Sequence, residues 1–124
     1  MKNGNSIAIL STGTIGNNVI NALESIADTS LFSHYHFPFV KPLDIALLQL
    51  IGKKYNQIIT IEEGTINGGF GSLVTDFLCA NNYTISIKKL GIPDRFIDQG
   101  TVKELHQISG LDSQSLVDYL KTLL

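Results

Sequence analysis

The stretch Glu62-Glu63-Gly64-Thr65-Ile66-Asn67-Gly68-Gly69-Phe70-Gly71 sets two adjacent acids among four glycines, and three kinds of chemistry could draw on it. Glycines ahead of a helix can bare backbone N–H groups to a phosphate. This stretch lacks the lysine and hydroxyl of a P-loop, however, and glycines at 64, 68, 69 and 71 do not make G-x-G-x-x-G. Two carboxylates can share a proton in acid–base work, but consecutive residues at a strand end point to opposite faces. Glu62 and Glu63 therefore divide their roles: one faces the following helix N-terminus or binds backbone N–H groups, and the other is free to face a partner. The third reading is structural. Gly68 and Gly69 permit close backbone approach, and Gly71 lets the helix pack tightly on the sheet.

Other reactive side chains do not gather into a catalytic set. His34 and His36 share one strand face, but with His106 far along the chain they have no clear third ligand, and no metal site is assigned. Ser11 is not in a G-x-S-x-G elbow, so a hydrolase triad lacks its nucleophile motif. Asp94, Arg95, Asp98 and Gln99 surround a turn after Pro93, which reads either as a local ion pair or as a recognition turn. Cys79, the single cysteine, excludes an internal disulfide; inside an apolar helical pattern it reads as a buried, inert thiol.

The elements that must position these residues alternate between strand and helix. Ile7–Leu10 and Ile58–Ile61 are short, continuously apolar runs, as strands covered on both faces should be. His34–Val40 is a strand demoted to an edge by Pro38, and Thr84–Leu90 alternates with lysines, another edge signature. Ile15, Val19, Ala22, Leu23 and Ile26 recur at helical spacing, as do Phe70, Leu73, Val74, Phe77 and Leu78. A third helix, opened by Pro42 or Asp44 and ending near Gly52-Lys53-Lys54, is apolar enough to be well buried. Two more helices close the chain, one opened by the capping box Thr101–Glu104 and one capped by Asp112.

Such alternation predicts an α/β fold of three layers, α/β/α, on a mostly parallel sheet. Placing the apolar strands inside and the proline and lysine strands outside gives the strand order 2-1-3-4. The topological switch then falls between strands 1 and 3. It brings Gly13 and Thr14 beside Glu62, Glu63, Gly64, Gly68, Gly69 and Gly71 as a docking or ligand loop.

Composition narrows the function further. A chain of 124 residues, 44% hydrophobic and 16% charged, fits one domain with a real core. So low a charge leaves little polar cover and favours burial of part of the surface by a partner or a parent chain. A net charge of −2 without basic runs argues against nucleic acid. No stretch is apolar enough for a membrane span or signal peptide, so a soluble cytoplasmic protein is expected.

Three short motifs in order carry a resemblance: FVKPLD at 39–44, IEEG at 61–64 followed by GGFG at 68–71, and IPDRFI at 92–97 ahead of Gly100. Over essentially its whole length the chain resembles the C-terminal domain of the 1-deoxy-D-xylulose-5-phosphate synthase family, a branch of the transketolase group. The resemblance implies one transketolase C-terminal-like domain spanning residues 1–124, excised from a larger enzyme. That parent would use thiamine diphosphate and Mg2+ to join pyruvate and glyceraldehyde 3-phosphate. The reaction begins the non-mevalonate route to isoprenoids and feeds thiamine and pyridoxal synthesis. The cofactor would be bound by the preceding domains and none by this one, whose partners would be those domains and the second subunit of a homodimer. A leading antiparallel strand, beside the proline strand in such domains, would be missing here. Two departures bear on this: Pro38 stands where related synthases often have arginine, and Gln99 where they often have histidine. Alternatives are a small-ligand or nucleotide-binding module, and the same fold from transketolase or a 2-oxoacid dehydrogenase β-subunit.

Overall fold

The computed structural model describes residues 7–13, 15–26, 30–37, 44–65, 69–83, 85–92 and 112–123. Within them run β1 (Ile7–Thr12), α1 (Ile15–Glu24), β2 (Phe32–Phe37), α2 (Ile45–Lys54), β3 (Gln57–Thr65), α3 (Phe70–Ala80), β4 (Ser86–Ile92) and α4 (Ser113–Lys121). The four strands form one parallel sheet in the order β2-β1-β3-β4, with the apolar strands inside and the other two at the edges. This is the winding expected from the sequence.

Alternation along each strand sorts the core into two layers. Ile7 and Ile9 of β1 with Ile59 and Ile61 of β3 face α1 and α4, where they meet Val19, Leu23, Leu116 and Leu120. Ala8, Leu10 and Ile58 face α2 and α3, packing on Leu48, Ile51, Phe70 and Val74. Helices thus cover both faces of the central strands, which explains why those strands need no polar alternation.

Helix ends follow the cap chemistry. The Asp44 side chain accepts from Leu47 N–H at 3.1 Å, and Lys53 and Lys54 occupy the last turn of α2. Asp112 opens α4, accepting from the Ser115 N–H at 3.3 Å and the Ser115 hydroxyl at 2.6 Å. At the end of α3, Asn82 takes the left-handed conformation with φ 63°, and the Tyr83 N–H returns to the Leu78 carbonyl at 3.0 Å.

Three expectations change. Strand β3 continues to Thr65, so Glu62, Glu63, Gly64 and Thr65 belong to the strand, and its pairing with β4 slips between Ile61 and Thr65. Helix α2 is only half buried: Leu48 and Ile51 are enclosed, while Ile45 and Leu50 are exposed. Its apolar residues outnumber the positions that a 3.6-residue period can aim at the sheet. Cys79 is exposed, because the buried stripe of α3 runs through Phe70, Val74 and Leu78, and the next residue turns away. Pro38, Pro42 and the Thr101–Glu104 capping box lie outside the described residues.

Burial assigns unequal weight to neighbouring apolar residues. Ile59→Ala, at a fully buried position in a central strand, should lower stability by about 2–5 kcal/mol. Leu50→Ala, at an exposed one, should change it by less than about 0.5 kcal/mol. Urea unfolding followed by circular dichroism measures both.

Candidate functional site

The glycine-rich stretch is organised by Glu62. Although charged, this side chain is 3% exposed. Its carboxylate accepts from the Phe70 N–H at 2.5 Å and from the Gly71 N–H at 3.4 Å, so it lies across the first turn of α3. Gly69 precedes that helix without a side-chain cap, and Glu62 supplies the missing acceptor from the neighbouring strand. Burial raises the Glu62 carboxyl above its usual range, opposed by the two amide hydrogen bonds and by Lys89.

Two contacts extend this arrangement. The Phe70 ring reaches Phe37 of β2, with centroids 5.2 Å apart, so holding the Phe70 amide also seats a core aromatic. At Gly71 a Cβ would come within 2.6 Å of Thr60 Oγ1 and 3.0 Å of Lys89 Cγ, which is why the first turn of α3 can press on β3 and β4 only with glycine there. Thr60 Oγ1 is itself buried without a hydrogen-bond partner among the described residues.

A second cluster, not assembled from the sequence, lies at the ends of β1 and β2. The register pairs Ser11 with His36 and Ile9 with His34. Ser11 Oγ stands 2.6 Å from His34 Nε2 and 3.3 Å from His36 Nδ1. His34 is buried, and burial together with the neighbouring His36 lowers its pKa to about 4. A cavity of about 440 Å3 opens beside the cluster, lined by Gly13, Gly16, Asn17, Ile20, His34 and His36. Gly13 has a positive φ of 72°, and a Cβ on Gly16 would meet His36 Nδ1 at 2.9 Å. The -H-x-H- spacing was the available signal, but only the β1–β2 register reveals its third member.

The structure gives the described members of the expected loop pair different surroundings. Gly13 borders the cavity on the β2 side, whereas Glu62, Gly69 and Gly71 belong to the α3 junction. Glu63 and Gly64 lie within β3. Thr14, Gly68, Asp94, Arg95, Asp98 and Gln99 lie outside the described residues. Among the described residues no three or more His, Cys, Asp or Glu gather to hold a metal ion, and no helix is long and apolar enough to cross a membrane.

Removing the cap should be measurable. Glu62→Ala leaves two buried N–H groups without an acceptor and should cost about 1–3 kcal/mol; Glu62→Gln keeps one acceptor and should cost less. The folded state binds the Glu62 proton more tightly than the unfolded chain. Stability is therefore lost as pH rises from about 4.5, the ordinary value, through the raised native one. Urea unfolding across that range should show a downward component in the parent chain that Glu62→Gln removes.

Comparison with known proteins gives a consistent set of likenesses. Residues 1–116 match the family described as "Transketolase, C-terminal domain". The chain is 47% identical over 122 residues to a 1-deoxy-D-xylulose-5-phosphate synthase of Parabacteroides distasonis, covering 98% of this chain and 19% of that protein. It is 43% identical over 124 residues to the enzyme of the same name from Cytophaga hutchinsonii, covering 99% of this chain and 20% of that one. The chain thus spans about a fifth of the length of these relatives. A solved structure described as "Split gene transketolase, inactive beta4 tetramer" superposes with a TM-score of 0.80 at 24% identity, over 96% of this chain and 39% of that one, a likeness of fold.

Proposed function

The chain belongs to the transketolase C-terminal domain family, and on that premise we propose that it is the C-terminal domain of a 1-deoxy-D-xylulose-5-phosphate synthase, serving docking and dimer support and inactive alone. The observation that carries the reading is the identity of 47% along 98% of the chain to a protein of that name. The parent would condense pyruvate with glyceraldehyde 3-phosphate on thiamine diphosphate, as a soluble cytoplasmic homodimer. Its preceding domains would be this domain's first partners. The family extent also supports treating residues 1–124 as a single domain.

The residues described here do not fit thiamine diphosphate or its Mg2+. Glu62, the buried acid of the α3 junction, spends both oxygens on backbone amides, and among the described residues no further acid or imidazole joins it in a set of three. No catalytic step is assigned to the described residues. The chain's contribution would be docking: Glu62 fixes where α3 begins, and Glu63, Gly64, Gly68, Asp94, Arg95, Asp98 and Gln99 would serve contact with the neighbouring domains.

The cavity beside Gly13 favours a second reading, a small-ligand module. A nucleotide is the weaker candidate for its occupant, since among the described residues no lysine or arginine lines it. Calorimetry against nucleotides and sugar phosphates separates the readings, the domain reading predicting no binding near micromolar concentration.

Purified alone with pyruvate, glyceraldehyde 3-phosphate, thiamine diphosphate and Mg2+, the 124-residue chain should show no turnover, and turnover would overturn the proposal. In the full-length parent, Gly68→Val should reduce activity and loosen domain docking, read by limited proteolysis. Unchanged activity and proteolysis would remove the docking role from this stretch.

A further inference from the structure

The Ser11 cluster confines its protons in a way that the docking role does not use. Ser11 Oγ stands 2.6 Å from His34 Nε2 and 3.3 Å from His36 Nδ1, across the register that joins β1 to the edge strand β2. A hydroxyl has one proton to give and two lone pairs with which to accept. With both rings neutral, one donates to Ser11 and Ser11 donates to the other, so the chain of hydrogen bonds is complete. A first added proton also fits: His36 donates through Nδ1, and Ser11 donates to His34 Nε2. A second does not. Both rings would then aim an N–H at one oxygen, and the hydroxyl proton would lose its acceptor.

The surroundings give that second charge no relief. Ser11 and His34 are buried, and a buried charge without a counter-charge is costly. Gly16, in the first turn of α1, closes over the His36–Ser11 contact: a Cβ there would meet His36 Nδ1 at 2.9 Å and Ser11 Oγ at 3.3 Å. That turn brings the partial positive charge of a helix N-terminus to the same place. Gly16 and Asn17 of α1 carry no charge, and among the described residues none lining the adjoining cavity is a carboxylate. Burial first, then His36 and the chain's amino group, hold the His34 pKa down at about 4.

We propose that Ser11, His34 and His36 form an acid-sensitive latch that holds the edge strand β2 to β1 and opens when both rings are protonated. Strand β2 is bonded to the sheet on one side only, so it can part while β1 stays paired with β3. His36 is exposed, which gives solvent protons their way in. With His34 at its ordinary 6.5 when open and at about 4 when closed, the latch is at full strength above about 6.5 and weakens as pH falls. At and below about pH 4 the closing equilibrium is lower by roughly 300-fold. Glu62, whose carboxyl is raised, acts with the opposite sign and does not account for a loss in acid.

The test is hydrogen–deuterium exchange of the 124-residue chain between about pH 7 and about pH 4, corrected for intrinsic exchange rates. It compares residues 32–37 of β2 with residues 57–61 of β3. Protection of β2 should fall by at least about tenfold while that of β3 holds. Nuclear magnetic resonance should show the His34 ring titrating below 6.5. His36→Gln changes an exposed side chain, removes the neighbouring charge, and should move the loss in β2 to lower pH. The proposal is overturned by β2 protection that does not respond to pH, by an equal loss in β3, by a His34 ring that titrates at or above 6.5, or by a His36→Gln midpoint unchanged from the parent's.

Discussion

The carboxylate of Glu62 on the amides of Phe70 and Gly71 is the joint between the central sheet and α3, and much of the domain's geometry follows from it. It ties β3 to the first turn of α3, and it sets the Phe70 ring against Phe37 of the edge strand. A helix N-terminus offers partial positive charge and free N–H groups, the usual invitation to a phosphate. Here the invitation is accepted internally. The cost is a buried acid whose ionisation is opposed by desolvation, partly offset by two amides and Lys89.

That joint explains how a stretch with so much glycine can be a packing device. Gly71 is required by the approach of α3 to Thr60 and Lys89, where any side chain would collide. The missing side chain is thus used for proximity between α3 and the sheet. The chain covers about a fifth of the relatives it matches.

The fold was legible because burial writes itself into composition. Ile7–Leu10 and Ile58–Ile61 could be central only because both faces are apolar, and Lys88 and Lys89 could belong only to an edge. Division of labour between the two adjacent acids was legible in part, since alternation forces one toward the helix. The end of β3 was not, because Glu62 to Thr65 carry no strand signal; the pairing with β4 slips after Ile61 and resumes only at Thr65. Cys79 and Leu50 show the limit of periodicity: it counts apolar residues but does not say which of them the sheet can reach. The Ser11 cluster depends on the register between β1 and β2, which no local pattern encodes.

The central claim is that Glu62, and not an outside anion, satisfies the start of α3. Nuclear magnetic resonance can follow the Glu62 side-chain carboxyl carbon and the Phe70 and Gly71 amide protons through one pH titration. The account predicts a shared midpoint above the ordinary value of 4.5 for all three signals. A carboxyl midpoint at or below that value, with the two amides not following it, would contradict the account.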